Sequence, residues 1–267
     1  MDQKVIIANR KKQQIAVLVE PSSRQQGLVF VMHGLGGFKE QDHIKAFADS
    51  FRQEKFTVVC FDTTNTLGKC ESGGKYENAT ITNYFEDLED VIEWASSQKW
   101  YEEPFWLVGH SLGGISTILF TEKYPSKIKA LAPVSTVVSG KLSLQSPRYS
   151  NNDILETWER TGWRSEESKS QPGLIKRLKW SHMVDRLKYD VLDKIDKITM
   201  PVLLIVGDQD ESTPIAHQKI LFNQLISEKE IHIIKDGPHT FKDEKQLIEI
   251  KAIFSKWIRK VQNTSKK

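Results

Sequence analysis

The sequence predicts an α/β fold, a mostly parallel twisted sheet flanked by helices, with an inserted and mostly helical cap. Two observations predict the sheet. Apolar runs of strand length alternate with amphipathic helical segments along the chain, and several of those runs are apolar throughout. Strands of that kind are typical of parallel sheets covered by helices on both faces. A third observation, the long segment 135–201 between two apolar strands, predicts the cap because a simple crossover needs far fewer residues.

The elements are expected in the following order. Periodicity predicts strands at 5–7 and 15–19 (an opening hairpin), 28–32, 56–61, 105–108, 129–133, 202–206 and 231–234. Helical spacing of apolar residues predicts helices at 42–54, 80–97, from 111 onward, at 214–226 and at 244–261. In such a sheet, binding and catalytic residues collect at the carboxyl ends of the strands.

The inserted segment gives the expected domain organisation. We expect one domain over 1–267, with 136–190 as a cap over the carboxyl edge of the sheet. Its central part carries Trp158, Trp163 and Trp180 among many charged residues. The alternative is a decorated crossover whose tryptophans pack against the body of the protein. If the segment is a cap, its aromatic residues favour a substrate with an apolar or aromatic group.

Composition excludes several classes of function. A length of 267 residues fits one α/β domain, and a net charge of +3 spread along the chain argues against a nucleic-acid partner. No stretch approaches the ~18 apolar residues of a membrane span, and the first residues lack the apolar core of a signal peptide. Cys60 and Cys70 lack metal-site spacing, so we expect free thiols and a cytoplasmic protein without a metal or cofactor.

The segment Gly109-His110-Ser111-Leu112-Gly113 is the strongest catalytic signal. It follows an apolar strand and opens a helix, which is the context that a Gly-x-Ser-x-Gly turn requires. Such a turn exposes the serine hydroxyl, and only small flanking residues fit between the strand and the helix. We therefore predict that Ser111 is a nucleophile. The serine of Glu71-Ser72-Gly73-Gly74 follows a polar loop and is interpreted as part of a turn.

A serine nucleophile needs a general base oriented by an acid, and in this class of fold the acid precedes the base along the chain. Of the seven histidines, His239 follows the last strand at the edge where Ser111 is expected. His217, on a helix, is interpreted as a surface residue. The loop after 202–206 offers Asp208, Asp210 and Glu211; we choose Asp210 because it lies further into the loop.

Two backbone N–H groups are candidates for an oxyanion hole. The N–H of Leu112 follows the nucleophile at a helix N-terminus, where partial positive charge favours an anion. The second donor is expected in the glycine-rich loop after 28–32, and we choose the N–H of Leu35. His33, beside that loop, is interpreted as a brace bonded to backbone.

These motifs together resemble the α/β-hydrolase superfamily. The matching segments are HGLGG (33–37), GHSLGG (109–114), GDQDESTP (207–214) and GPHTF (237–241), and the resemblance extends from residue 27 onward. The chain is similar to small bacterial carboxylesterases of the feruloyl and cinnamoyl esterase kind, and to the serine aminopeptidase-like and monoacylglycerol-lipase-like groups. The resemblance implies the α/β-hydrolase fold and the same roles for Ser111, Asp210, His239, Leu35 and Leu112. The cap sequence matches none of these groups well enough to name a substrate.

Three functions follow as hypotheses. The first is a carboxylesterase that cleaves a small-molecule ester through an acyl-enzyme on Ser111. The second uses the same residues on a different bond, as a peptidase, thioesterase or lipase. The third is a small-molecule receptor built on a hydrolase fold, since fold alone does not determine function.

Overall fold

The computed structural model describes residues 2–67, 70–149, 152–167 and 173–264. Within these ranges the chain forms ten strands. They are β1 (Gln3–Ala8), β2 (Gln14–Glu20), β3 (Leu28–Met32), β4 (Thr57–Phe61), β5 (Phe105–His110), β6 (Ile128–Val134), β7 (Trp163–Glu167), β8 (Ile175–Lys179), β9 (Val202–Gly207) and β10 (Lys229–Ile234). The α-helices of the same ranges are α1 (Asp42–Gln53), α2 (Ile81–Ala95), α3 (Leu112–Lys123), α4 (Gly140–Leu144), α5 (Asn152–Thr161), α6 (Ser181–Arg186), α7 (Ile215–Gln224) and α8 (Glu244–Thr264).

Eight of the strands form one sheet in the order β1-β2-β4-β3-β5-β6-β9-β10. The strand β2 pairs antiparallel with both of its neighbours, β1 and β4, and the remaining pairs are parallel. The carboxyl ends of β3, β5, β9 and β10 therefore meet at one edge. This is the mostly parallel, helix-flanked sheet of an α/β-hydrolase fold.

The two faces of the sheet carry separate cores. Along β3, Phe30 and Met32 contribute to one core and Val29 and Val31 to the other, because successive side chains of a strand point to opposite faces. Residues of α2, α3 and α7 complete the first core, and residues of α1 and α8 complete the second. The strands β3, β4, β5 and β9 are buried on both faces, which explains why their sequences are continuous apolar runs rather than alternations.

The inserted segment contains helices and a hairpin. Between β6 and β9 lie α4, α5 and α6, together with the antiparallel pair β7 and β8, in which Trp163 faces Lys179. The expectation of a mostly helical insertion did not include this hairpin, because its strands WRSEE and IKRLK have no apolar alternation to reveal them. Residues 150, 151 and 168–172 of the expected cap lie outside the described residues.

The tryptophans of the insertion pack largely on one another and on neighbouring cap residues. Trp158 is fully buried, donates from Nε1 to the Leu178 carbonyl at 3.0 Å, and meets the Trp180 ring edge-on at 5.5 Å. The Trp163 ring lies 4.4 Å from the Arg177 guanidinium across the hairpin. None of the helices in the described part of the chain combines the length and apolar composition needed to cross a membrane.

Candidate functional site

Ser111 occupies the corner between β5 and α3. Its backbone has φ 56° and ψ −112°, a conformation that a residue with a side chain adopts only under strain. The neighbouring glycines allow the strand and the helix to approach each other. A Cβ atom on Gly109 would collide with the backbone carbonyl of Gly113, so no larger residue fits there without displacing the helix. The turn holds the Ser111 hydroxyl at the carboxyl edge of the sheet.

His239 lies between Ser111 and Asp210. Its Nε2 atom is 2.9 Å from the Ser111 Oγ, and its Nδ1 atom is 2.8 Å from the Asp210 Oδ2. The structure thus brings together three residues that are distant in the sequence: His239 lies 128 positions after Ser111 and 29 positions after Asp210. The chain of hydrogen bonds lets the imidazole accept the hydroxyl proton while the carboxylate holds the opposite ring nitrogen.

Asp210 is buried and held by its own loop. Its Oδ1 accepts the backbone N–H groups of Ser212 and Thr213 at 2.9 Å each, and its Oδ2 accepts the Thr213 hydroxyl at 2.8 Å. Burial would raise the pKa of the Asp210 carboxyl, but the charge of His239 and the hydrogen bonds from His239 and Thr213 outweigh it. The pKa of Asp210 is therefore well below its usual range, and the group is a carboxylate. Asp208, the alternative acid, is exposed.

Thr213 is a site residue that sequence reasoning missed. Its hydroxyl bonds Asp210 and the carbonyl of Ser135, and it lies 3.3 Å from the His239 Nδ1. The role of Thr213 could have been predicted from its position, three residues after Asp210 in a loop that ends at Pro214. At that spacing a threonine N–H and hydroxyl commonly bond an aspartate in a turn.

His110, at the end of β5, supports His239, which its position in the sequence does not reveal. Its Nε2–H donates to the carbonyl of His239 at 2.7 Å, and the two rings lie 4.9 Å apart. On its other side the His43 ring is 4.6 Å away. Burial and the charge of His239 lower the pKa of His110 to about 3, so its ring is neutral. No local pattern could reveal this bond, because it joins the end of β5 to a loop 129 positions further along the chain.

The loop after β3 lies directly against the nucleophile. A Cβ atom on Gly34 would be 2.9 Å from the Cβ of Ser111, so the loop that carries Leu35 packs against the serine. Two side chains fix this loop. The Tyr84 hydroxyl donates to the Gly34 carbonyl at 3.1 Å, and His33 bonds the same carbonyl through Nδ1 at 2.8 Å.

Of the two residues chosen as oxyanion donors, Leu112 directly follows Ser111, and Leu35 follows Gly34 in the loop that packs against the serine. Leu112 is the first residue of α3, where a backbone N–H has no partner within the helix. Leu35 approaches from the loop after β3. An anionic oxygen bound between these N–H groups would also gain from the positive end of the helix dipole.

His217 was expected on the surface and is buried. It lies on α7 with 8% of its surface exposed, and burial lowers the pKa of its ring. The expectation was wrong because His217 belongs to the buried face of α7, together with Gln218 and Leu221. Among the described residues, no group of three or more His, Cys, Asp or Glu side chains could hold a metal ion.

Comparison with known proteins agrees with this fold. Est1E from Butyrivibrio proteoclasticus, solved with ferulic acid bound, superimposes with a TM-score of 0.75 at 21% identity, covering 96% of this chain and 98% of that one. α/β hydrolase domain-containing protein 10 from mouse gives a TM-score of 0.78 at 17% identity, covering 97% and 99%. Both likenesses show the α/β-hydrolase fold.

A curated relative is also similar along the sequence. Thermostable monoacylglycerol lipase from Bacillus sp. (strain H-257) is 24% identical over 239 residues, which cover 82% of this chain and 86% of the relative. The family model described as Hydrolase_4, serine aminopeptidase, S33, matches residues 23–246, so the chain belongs to this family of α/β hydrolases.

Proposed function

We propose that the protein is a serine hydrolase that cleaves carboxylic esters through an acyl-enzyme on Ser111. The observation that carries this proposal is the unbroken chain of hydrogen bonds from the Ser111 Oγ to His239 and on to Asp210. A serine hydroxyl is a weak nucleophile unless a base removes its proton, and this arrangement supplies the base and its orienting acid.

The mechanism follows from those positions. Ser111 Oγ attacks the ester carbonyl carbon while His239 Nε2 takes the hydroxyl proton. The N–H groups of Leu35 and Leu112 bind the oxyanion of the tetrahedral intermediate. His239 then gives its proton to the leaving alcohol. In the second half a water molecule loses a proton to His239 and attacks the acyl carbonyl, and Ser111 recovers the proton as the carboxylic acid leaves.

Substitution of Ser111 tests the proposal. We expect Ser111→Ala to lower kcat for a 4-nitrophenyl ester by as much as ~10⁶-fold, because the remaining residues cannot form the acyl-enzyme. Ser97→Ala, an exposed serine after α2, is the matched control and should keep the parent activity. Labelling of Ser111 by a fluorophosphonate, read by mass spectrometry, should accompany activity. Equal rates for the parent and Ser111→Ala would refute the role of Ser111.

The bond that is cleaved is a separate question. The family is described as serine aminopeptidases and one relative as a monoacylglycerol lipase, so a peptidase, thioesterase or lipase is the second candidate. Rates on acyl esters, acyl-CoA and amino-acid anilides would rank these activities, and we expect the esters to be cleaved fastest. A parent protein that binds esters yet resists the fluorophosphonate would favour a receptor instead. We also propose a cytoplasmic location, which the free thiols of Cys60 and Cys70 support.

A further inference from the structure

Three arginines of the inserted segment converge on one buried phenol. Arg148 lies in a short turn after α4, Arg164 in β7, and Arg186 at the end of α6. Arg164 donates from Nη1 to the Tyr149 hydroxyl at 3.0 Å, and Tyr149 is buried. We call Arg148, Arg164 and Arg186 the arginine cluster. Because they come from three separate elements, only the tertiary structure brings them together.

The arginine cluster lies beside elements that carry the candidate catalytic residues. The backbone N–H of Arg148 donates to the backbone carbonyl of Glu211, which is next to Asp210 in the chain, at 3.0 Å. The backbone of Gly140 packs against the Arg186 carbonyl, and Val137, three residues earlier, donates its N–H to the Ser111 carbonyl at 3.4 Å.

The loop that carries Leu35 borders the same region. The Tyr76 ring packs on Gly36 of that loop, with a ring carbon 3.2 Å from the position of a Cβ atom there. Tyr76 is also near enough to Arg164 and Arg148 for their charges to favour its phenolate, although burial raises its pKa to about 12. The cluster therefore borders segments of the chain that contact or contain Ser111, Asp210 and Leu35.

The arginine cluster carries more positive charge than the carboxylates around it can neutralise. In the described part of the chain one carboxylate, Glu166, faces it, 2.9 Å from Arg164 and 3.2 Å from Arg148. The residues outside the described ranges contain no aspartate or glutamate. The charges of the three arginines outweigh the burial of Tyr149 and lower the pKa of its phenol, whose hydroxyl accepts the hydrogen bond from Arg164.

Arg186 is the member of the cluster that forms no ion pair with a carboxylate among the described residues. Only 8% of its surface is exposed, and its buried Nε has no hydrogen-bond partner among the described residues. Burial and the charges of Arg148 and Arg164 lower its pKa, while Tyr149 acts in the opposite direction. A buried guanidinium N–H without a partner is costly, and a ligand that supplies anionic oxygens would remove that cost.

We infer that the arginine cluster binds an anionic group of the substrate, a carboxylate or a phosphate, so that the preferred ester carries a negative charge. The inference rests on the proposed function, since it names the substrate class of the same site. Guanidinium groups suit this task because their planar fork of N–H donors matches carboxylate and phosphate oxygens. The tryptophan Trp158 of the cap, by contrast, already packs within the protein. It is buried, and the Arg164 guanidinium lies 5.0 Å from its ring.

A pair of esters that differ in charge tests this inference. 4-Nitrophenyl hydrogen adipate and 4-nitrophenyl hexanoate have the same chain length and leaving group, but only the first carries a carboxylate. We expect the parent to prefer the adipate ester by about tenfold or more in kcat/KM, the effect of one charge-assisted hydrogen bond. We expect Arg186→Met to lower that ratio by a similar factor, and Arg186→Lys to lower it less.

The control is a charge of the same kind outside the cluster. Arg160 is exposed on α5, and Arg160→Met should keep the parent ratio. Thermal unfolding of each variant shows whether it folds. If Arg186→Met does not fold, inhibition of hexanoate hydrolysis in the parent by free adipate and by inorganic phosphate replaces it. Inhibition by either anion supports the site, and the stronger inhibitor identifies carboxylate or phosphate.

The outcomes separate the two proposals. Labelling of Ser111 with equal preference for both esters in the parent and in Arg186→Met overturns the anion site and leaves the hydrolase standing. If neither ester is cleaved and Ser111 is not labelled, the hydrolase proposal fails. Calorimetry with adipate and phosphate then decides the anion site on its own: binding to the parent that Arg186→Met abolishes supports it, and absence of binding overturns it.

Discussion

Asp210 shows how much a single side chain contributes to the candidate site. Two backbone N–H groups, a hydroxyl and an imidazole surround its carboxylate, so both oxygens are fixed. A carboxylate held in this way keeps its charge at low pH and can only accept hydrogen bonds. It therefore forces His239 to place a proton on Nδ1 and to leave Nε2 free for the Ser111 hydroxyl.

We expect Asp210→Asn to lower kcat for a neutral 4-nitrophenyl ester by about 10³- to 10⁴-fold with little change in fold. The amide is the same size, but its NH₂ group can face the histidine and favour the wrong tautomer. Steady-state rates of ester hydrolysis measure the loss.

The control for this prediction lies two residues away. Asp208 is exposed and was the alternative acid in the sequence, so Asp208→Asn should keep the parent rate. A larger loss in Asp208→Asn than in Asp210→Asn would reverse the choice between the two carboxylates.

The strand-turn-helix formed by β5, Ser111 and α3 is the element on which the candidate site depends. Its strand is apolar throughout and its helix begins immediately after the serine, so the local sequence is sufficient to predict it. The backbone strain at Ser111 persists because the glycines on either side let the strand and helix pack closely.

We expect Gly109→Ala to destabilise the protein by at least about 2 kcal/mol, because its methyl group would collide with the Gly113 backbone rather than with a flexible side chain. Denaturant unfolding measures the change, and loss of fluorophosphonate labelling should accompany it. Gly73→Ala is the control, since a Cβ there would sit 3.4 Å from the Gln14 nitrogen, an ordinary contact. Equal stability of both variants would contradict this account of the turn.

Other elements show where sequence patterns succeed and where they fail. The helix expected at 80–97 is observed at Ile81–Ala95, and Thr80 accepts the Asn83 N–H as its cap. The hairpin of β7 and β8 escaped prediction because its strands are largely charged. Its stability comes from cross-strand contacts such as Arg177 on Trp163, which depend on pairing rather than on periodicity.

At the scale of the whole molecule, two cores on opposite faces hold the sheet, and α8 closes one of them. Phe254 of this helix is fully buried, and its ring lies 5.3 Å from that of Phe47 and 5.9 Å from that of Phe51. The helix follows the loop that carries His239, so its packing anchors the end of that loop.

We expect Phe254→Ala to lower the free energy of unfolding by about 3–5 kcal/mol, since it removes a buried ring and leaves a cavity between α1 and α8. Urea unfolding followed by circular dichroism measures the loss. Ile248→Ala, on the same helix but 60% exposed, should change stability by less than about 0.5 kcal/mol. Similar losses in both variants would show that α8 does not close the core as described.

The sequence by itself determined the order of strands and helices outside the insertion, the glycine-flanked serine, and the two loops that carry Asp210 and His239. It did so because backbone conformation and burial leave local periodicities, and because the carboxyl ends of parallel strands share an edge. Only the tertiary structure decided the 2.9 Å approach of His239 to Ser111, the support from Thr213 and His110, and the convergence of Arg148, Arg164 and Arg186. Contacts between side chains from distant elements depend on how the crossovers and the insertion pack, and no local pattern encodes that packing.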